Sequence, residues 1–264
     1  MRLQLLSSVG NAYPLPKGYV RLKVNGRSAV ACEWAAAIIR DLLVKRTLHD
    51  WAAAQKDHDP LHGRGINYGV MLPVGSDTGL ATAVVVRRNR HGGLLRSITG
   101  EYFSAPTRAP RELANSLRLA AAGVNTPEII AYALYPAFMN LVRCDVVTQR
   151  LPEGGDFPEM WIKADSSRRE AILTGVAALL KSLVKAGAWH ADLNLKNIYI
   201  AINGPDIVPY VLDVDCVSFP GGNDIAERNF NRLARSARKW RTKWGLDFDE
   251  KTLERLAALT LEMN

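Results

Sequence analysis

Alternating apolar and polar residues predict strands in the first half of the chain. Val20, Leu22 and Val24 alternate with polar residues and lead into Asn25-Gly26, a strong signal for a two-residue hairpin turn. Over residues 33–55 the apolar positions recur at helical spacing instead. The first sixty residues therefore predict a hairpin and a helix, and they contain no recognisable chemistry.

A small antiparallel sheet with one helix is predicted for the next ninety residues. Pro110 suits a first helical turn, and the apolar face of Leu113, Leu117 and Ala120 ends at Gly123. Turn residues separate the apolar runs on both sides of this helix. The predicted strands are residues 70–74, 80–86, 129–135 and 141–149.

The second half of the chain has the pattern of a mainly helical domain. Pro and Gly residues at 151–155 break the strand pattern and predict a hinge between two lobes, against which adenine would lie. Ser167-Arg168-Arg169-Glu170 has the form of a capping box, and the apolar helix after it ends at Gly187. The predicted domains are an extension at 1–60 packed on the N-lobe, an N-lobe at 61–150 and a C-lobe at 151–264.

Composition describes an ordinary globular protein with a basic surface. Of the 264 residues, 48% are hydrophobic and 23% charged, and the net charge of +8 implies an anionic partner. Three scattered cysteines indicate a reducing compartment without a disulfide framework. The most apolar stretch, residues 129–139, is too short to span a bilayer and contains Pro136, and no signal peptide is expected.

Phosphotransferase chemistry is indicated by the spacing of polar residues around position 190. His190, Asp192 and Asn197 have the spacing of a catalytic loop in which the Asp meets an acceptor hydroxyl and the Asn faces Mg²⁺. Asp213 follows an apolar strand, where such enzymes keep a second metal ligand. Asp215 would share its side of a continuing strand and could be a further ligand, although a structural role is favoured. The alternative is an ordinary polar loop between a helix and a strand.

Three features of the N-lobe suit the binding of ATP phosphates. The turn Gly63-Arg64-Gly65 offers backbone N–H groups, and Arg87 ends a strand where a kinase places its phosphate-binding Lys. Glu112 lies early on the next helix, where a kinase has the Glu that orients that base. Each feature has a plainer explanation: a simple turn, a solvated strand end, and an acid favoured by the helix dipole.

Residues 228–243 form a basic amphipathic helix with seven basic residues and no acidic one. We expect Arg232, Arg235 and Lys239 to contact an anionic acceptor or a membrane surface. The competing interpretation is that Arg232 and Arg235 are buried and pair with acids of the same lobe. The basic face comprises Arg228, Arg232, Arg235, Lys239 and Lys243, and the apolar face Phe230, Leu233, Ala237, Trp240 and Trp244.

Together these motifs resemble the lipopolysaccharide kinase family, most closely its 3-deoxy-D-manno-octulosonic acid (Kdo) kinases. The resemblance extends over residues 63–239, and its most specific parts are His190-Ala191-Asp192-Leu193-Asn194 and Arg232-Leu233-Ala234-Arg235-Ser236. The family usually has Phe where this chain has Val214, and Tyr where it has Asn89. The other matching stretches are Gly63-Arg64-Gly65, Val86-Arg87, Arg90-His91-Gly92-Gly93-Leu94, Arg111-Glu112, Asn197 and Leu212-Asp213-Val214-Asp215.

This resemblance implies an α+β, two-lobed protein-kinase-like fold that uses ATP and Mg²⁺. It implies a Kdo hydroxyl on the lipid A precursor as acceptor, with the 4-phosphate as product, and a peripheral location on the cytoplasmic side of the bacterial inner membrane. Heptose, another small-molecule hydroxyl or a protein stays open as acceptor, since acceptor pockets are built from dispersed side chains. A non-catalytic anion-binding module is a third possibility. Nucleic acid is not an expected partner, because the chain has neither zinc-site spacing nor an aromatic RNA-binding signature.

Overall fold

A computed structural model describes residues 14–62, 65–75, 79–90, 100–104, 107–138, 141–204 and 206–262. Gly63 and Arg64 of the predicted phosphate loop lie outside these residues. The chain forms two compact units. The first comprises the described residues up to Ala114 together with Glu128–Arg150, and the second comprises Asn115–Pro127 and the residues from Leu151 onward.

An antiparallel sheet forms the body of the first unit. Its strands are β1 (Tyr19–Val24), β2 (Arg27–Cys32), β3 (Asp59–His62), β4 (Ile66–Pro73), β5 (Ala81–Arg88), β6 (Phe103–Ser104), β7 (Ile129–Pro136) and β8 (Leu141–Gln149). Their order is β1-β2-β7-β8-β5-β4-β3, with β6 paired to β8. Helices α1 (Ala36–Lys45) and α2 (Leu48–Ala53) belong to this unit, whereas α3 (Ala109–Ala121) begins in it and belongs to the second unit from Asn115 onward.

The N-terminal residues are part of this sheet, because β2 pairs with β7. The predicted hairpin is confirmed: Val24 lies opposite Arg27, and Asn25 and Gly26 take the positive φ that a tight turn requires. The helical pattern predicted over 33–55 is confirmed, but it is divided into a 3₁₀ turn, α1 and α2. Thr47 caps α2 by accepting a hydrogen bond from the Asp50 N–H at 3.1 Å.

Two predicted boundaries of the first unit differ from the structure. The predicted border at residue 60 falls inside β3, a strand that the pattern missed. Residues 115–127 belong to the second unit instead of the predicted 61–150 lobe. There the Asn115 amide donates to the Val214 and Val217 carbonyls at 2.8 and 2.9 Å, and the Val211 N–H donates to the Asn125 carbonyl at 2.9 Å.

The second unit is mainly helical. Its elements are β9 (Gly154–Asp156), α4 (Phe157–Lys163), α5 (Ser166–Lys185), β10 (Trp189–His190), β11 (Ile198–Asn203), β12 (Asp206–Val211), β13 (Val217–Ser218), α6 (Ile225–Trp244) and α7 (Glu250–Glu262). The strands form two small sheets, β12-β11-β9 and β10-β13. Helix α5 contributes the centre of the core, where Ile172, Val176 and Leu183 are fully buried. Burying a side chain of this size stabilises a fold by about 1.5–3 kcal/mol.

Local details of the second unit correct two further predictions. The N-cap of α5 is Asp165, whose carboxylate accepts from the Arg168 N–H at 2.8 Å, and not Ser167. Part of the predicted hinge is a strand, since Gly154 and Gly155 pair with β11. A Cβ on Gly154 would lie 2.0 Å from the Ile200 carbonyl oxygen, so only glycine permits this pairing.

Candidate active site

The loop that follows β10 is held in shape by the side chain of Asn194. Its carboxamide oxygen accepts from the backbone N–H groups of Lys196 and Asn197 at 2.9 and 3.2 Å, which starts a 3₁₀ turn at Leu195–Asn197. Its amide nitrogen donates to the Asp192 carbonyl at 3.1 Å. A short polar residue that bonds nearby backbone groups favours such a turn. The backbone on both sides of Asp192 is therefore fixed from within the loop.

His190 joins this loop to the end of the following hairpin. The ring is fully buried. Its Nδ1 accepts from the Asp192 N–H at 3.2 Å, so Nε2 carries the hydrogen and donates to the Leu212 carbonyl at 2.9 Å. Burial lowers the pKa of His190, which keeps this neutral tautomer. The imidazole therefore positions Asp192 relative to the residue after Leu212, which is Asp213.

Asn197 and Asp213 present the oxygen atoms expected of a magnesium site. The buried Asn197 donates its amide to the Asp192 carbonyl at 2.8 Å, and its backbone carbonyl accepts from Leu212 N–H at 2.8 Å. Its carboxamide oxygen has no hydrogen-bond donor among the described residues. Asp213 is exposed and left-handed, with φ 52° and ψ 47°, a conformation that costs energy for a residue with a Cβ. Amide and carboxylate oxygens suit Mg²⁺.

Asp215 does not lie on a continuing strand, so the expected alignment of its carboxylate with that of Asp213 is wrong. Strand β12 ends at Val211, and Val214–Cys216 form a 3₁₀ turn. The left-handed residue at 213 redirects the chain, which removes the two-residue alternation of a strand. In the part of the chain that the structure describes, no cluster of three His, Cys, Asp or Glu side chains forms a metal site.

Helix α6 contacts the loop after β10 through polar residues on one of its faces. The buried Asn229 accepts from the His190 N–H at 3.0 Å and donates to the Ala188 carbonyl at 2.9 Å. Ser236 Oγ accepts from the Leu195 N–H at 3.1 Å. No role was predicted for Asn229 from the sequence. A polar residue at a core-facing position of an amphipathic helix is the signal that could have identified it.

Arg232 lies on α6 between Asn229 and Ser236, and its side chain contacts Asp192. Its Nη2 donates to Asp192 Oδ1 at 3.0 Å. Arg235 and Lys239, which were predicted to act together with Arg232, are exposed. The predicted basic face is therefore divided: Arg232 pairs with an acid of its own unit, as the competing interpretation held, but is only partly buried, whereas Arg235 and Lys239 face solvent.

In the first unit, the structure brings Arg87 and Glu112 together as an ion pair, with Glu112 buried. Gly65 lies against the side chain of Arg90, since a Cβ at this position would be 3.0 Å from Arg90 Nε. Arg88 serves a different partner: its Nε lies 3.0 Å from Oδ1 of the fully buried Asp145. Successive residues of a strand point to opposite faces, which explains why neighbouring arginines have different partners.

Comparison with known proteins finds relatives that match over most of the chain. The chain is similar to the 3-deoxy-D-manno-octulosonic acid kinase of Vibrio vulnificus (strain YJ016), 25% identical over 211 residues that cover 78% of this chain and 84% of that protein. The kinase of the same name from Photobacterium damsela subsp. piscicida is 26% identical over 205 residues, which cover 76% and 80%.

A solved structure, described as WaaP in complex with acyl carrier protein, matches with a TM-score of 0.52 and 15% identity, over 89% of this chain and 88% of that one. This likeness confirms the predicted α+β, protein-kinase-like fold class. The family model described as the lipopolysaccharide kinase (Kdo/WaaP) family matches residues 49–258. The chain therefore belongs to the lipopolysaccharide kinase (Kdo/WaaP) family, whose members are phosphotransferases.

Proposed function

We propose that this protein transfers the γ-phosphoryl group of ATP to a hydroxyl of Kdo on the lipid A precursor, at the 4-position. One observation carries the proposal: buried His190 joins the loop of Asp192 and Asn197 to the strand end that bears Asp213. The imidazole of His190 thus links the proposed general base, Asp192, to the chain segments of the proposed metal ligands, Asn197 and Asp213. The names of the relatives support Kdo as the acceptor sugar.

In the proposed reaction the acceptor hydroxyl oxygen forms a bond to the γ-phosphorus, and the bond from that phosphorus to the β,γ-bridging oxygen breaks. ADP leaves with the bonding electron pair, and Asp192 receives the hydroxyl proton. Such transfer depends mainly on positioning and on stabilising charge. Arg87 and residues 63–65, for which the sequence predicts a phosphate-binding loop, would bind nucleotide phosphates, with Glu112 orienting the Arg87 side chain.

The carboxamide oxygen of Asn197 and the carboxylate of Asp213 would hold Mg²⁺, which when bound neutralises phosphate charge.

We expect Asp213→Ala to lower the affinity for Mg²⁺-ATP by about 10–100-fold or more, because one of the two proposed protein ligands is lost. Asp215→Ala is the matched control and should leave that affinity near the wild-type value. Titration of both variants with ATP, with and without Mg²⁺, measures this. Loss of Mg²⁺-dependent affinity only in Asp215→Ala would contradict the assignment.

We also propose that the protein acts at the cytoplasmic surface of the bacterial inner membrane, where its acceptor is anchored. Exposed Arg235 and Lys239 lie on the helix that ends with Trp244, which is 56% exposed. Basic side chains attract anionic lipid headgroups, and Trp favours the membrane interface. Among the described helices, none has both the length and the apolar character needed to cross a bilayer.

The direct test is transfer of labelled phosphate from ATP to purified lipid A that carries a single Kdo, followed by determination of the phosphorylated position by NMR. We expect a 4-phosphate that depends on Mg²⁺ and on Asp192. A heptosylated acceptor lacking a free Kdo 4-hydroxyl is the control and should receive no label. Preferred labelling of heptose, or of a protein, would replace Kdo as the proposed acceptor while leaving the kinase assignment intact.

A further inference from the structure

The ion pair between Arg232 and Asp192 is only partly shielded from water. The two side chains are 34% and 46% exposed, and their one contact is Nη2 to Oδ1 at 3.0 Å. Ion pairs that are exposed to this extent contribute little to folding stability, because water solvates both charges in the unfolded chain as well. Binding of a ligand therefore explains the position of Arg232 better than a contribution to folding stability does.

The guanidinium of Arg232 has donors to spare. A guanidinium carries five N–H groups in a planar fork, and paired donors along one edge match the two oxygens of a carboxylate. In the described part of the chain only Nη2 of Arg232 has an acceptor, and Nε is buried without one. A guanidinium held by one bond can turn its edge toward a second anion, and a buried N–H gains from acquiring an acceptor.

The place of Arg232 indicates where that anion belongs. Arg232 contacts Asp192, the residue that acts on the acceptor hydroxyl in the proposed function, and it contacts neither Asn197 nor Asp213 among the described residues. An anionic group bound by Arg232 would therefore lie beside the reacting hydroxyl, on the acceptor. The acceptor sugar named in the relatives is an acid, so it carries a carboxylate.

We infer that Arg232 binds a carboxylate of the acceptor next to the reacting hydroxyl and so selects an acidic sugar. This inference rests on the proposed function. Arg232 keeps its contact with Oδ1 of Asp192 and receives the carboxylate with its other donors, while Asp192 Oδ2 meets the hydroxyl. Without acceptor, the same contact holds Asp192 in place.

The experiment compares two acceptors and three proteins. The acceptors are Kdo-lipid A and its carboxyl methyl ester, which lacks the negative charge. Wild type should prefer the acid in kcat/KM by roughly 10–100-fold, the range for hydrogen bonds between charged groups. In Arg232→Met this preference should fall close to one, because the acid loses both its carboxylate contact and the positioning of Asp192, whereas the ester loses only the positioning. The control is Arg238→Met, which removes a guanidinium from the same helix, 2.9 Å from Glu250, and should keep the preference.

Several results would overturn the inference. Equal losses on acid and ester would make Arg232 a positioning residue for Asp192 only. A raised KM for ATP, or slower ATP hydrolysis without acceptor, would assign the anion to the transferred phosphoryl group. A wild type that phosphorylates neither acceptor overturns the proposed function itself, which separates that failure from the others.

A second substitution covers the case in which Arg232→Met folds poorly. Arg232→Lys keeps the charge but lacks paired donors, so its preference for the acid should fall only in part, to below about a third of the wild-type ratio. A lysine variant with the full wild-type preference would overturn the paired recognition of a carboxylate. Thermal melts of all variants accompany the kinetics.

Discussion

Arg88 in the first unit and Arg232 in the second each place a guanidinium 3.0 Å from an aspartate oxygen, in very different surroundings. The Arg88 side chain is 10% exposed and its partner Asp145 is fully buried, whereas the Arg232 pair is about a third to a half exposed. Arg88 also bonds to other oxygens: those of Thr47, Asp50 and Glu101. Arg232 has one contact in the described residues.

This difference shows how the same pair of residue types serves structure in one place and binding in another. Asp145 uses its second oxygen to accept the His49 N–H at 2.9 Å, so the Arg88 cluster joins the start of α2 to β5 and β8. Burial works against the charge of Arg88, but the acids Asp145, Asp50 and Glu101 together outweigh it, and the pKa of Arg88 is raised. A saturated buried cluster fixes one arrangement. The unsaturated pair at Arg232 leaves donors for a ligand.

The largest effect should follow from changing the acid of the exposed pair. Asp192→Asn removes the proposed proton acceptor, and loss of a general base typically lowers the rate by about 10²–10⁴-fold. We expect kcat to fall by this amount, while ATP affinity and the melting temperature stay close to wild type. Transfer assays, nucleotide titration and thermal melts measure the three quantities. Full activity in Asp192→Asn would remove this residue from the mechanism.

Changing the acid of the buried pair should have the opposite effect, a large loss of stability with little change in activity. Asp145→Asn leaves Arg88 mostly buried with its main partner neutral, which should destabilise the protein by about 3 kcal/mol. Urea unfolding measures this loss. Kinetic constants of the remaining folded protein should change little, because Asp145 has no part in the proposed chemistry. Should Asp145→Asn unfold like wild type but lose activity, the contrast between the two pairs would fail.

Unlike Arg88 and Arg232, the basic residues Arg235 and Lys239 on α6 have no acidic partner in the described part of the chain. Arg235→Gln with Lys239→Gln should weaken binding to anionic liposomes by up to roughly 2 kcal/mol at low salt, about 1 kcal/mol for each charge. Salt should shrink the effect, since the Debye length is about 8 Å at physiological ionic strength. Liposome sedimentation at two salt concentrations measures it. The KM for ATP should hardly change.

The control for this double variant removes the same charge elsewhere: Arg168→Gln with Lys251→Gln, at exposed positions on α5 and α7. An equal liposome defect in both double variants would show that net charge, and not the α6 surface, determines binding. A salt-independent loss of stability in the α6 variant would instead support the packing role that the sequence analysis considered as its alternative.

How far the sequence could predict this molecule depended on how local each determinant is. The hairpin at Asn25-Gly26 was predictable because its turn is encoded by two adjacent residues. The break of the N-terminal helix was missed, because Thr47 ends one apolar stripe and caps the next without interrupting the pattern. The strand at 59–62 was missed because it is short and begins with an Asp-Pro pair, which is typical of turns.

In the candidate site, too, the residues that could be predicted are those with a local sequence signal. The spacing of His190, Asp192 and Asn197 is local and could be read directly. The partner of Arg232 could not, because helical periodicity places a residue on a face without saying what packs there. The strand was wrongly expected to continue to Asp215, because the left-handed turn at Asp213 is not encoded by a glycine, the usual signal for that conformation.

His190 is a buried titratable group in the second unit, and we expect it to make the stability of the protein modestly dependent on pH. Burial lowers the pKa of His190 in the folded protein, whereas the unfolded chain binds a proton near the ordinary value of about 6.5. Stability from this group is therefore complete above that pH. It falls as the pH drops from about 6.5 toward the folded pKa, by at most about 1.4 kcal/mol per pH unit for one proton.

Urea unfolding of wild type and His190→Gln, at several values between pH 8 and pH 5, isolates this contribution. The variant loses stability at every pH, because the bonds to Leu212 and Asp192 are disturbed, but it should lose the part of the slope that one proton causes. The difference between the two slopes therefore reports His190 and cancels the other titrating groups. Identical slopes would mean that His190 is not held neutral, and the tautomer that links Asp192 to Asp213 would have to be reassigned.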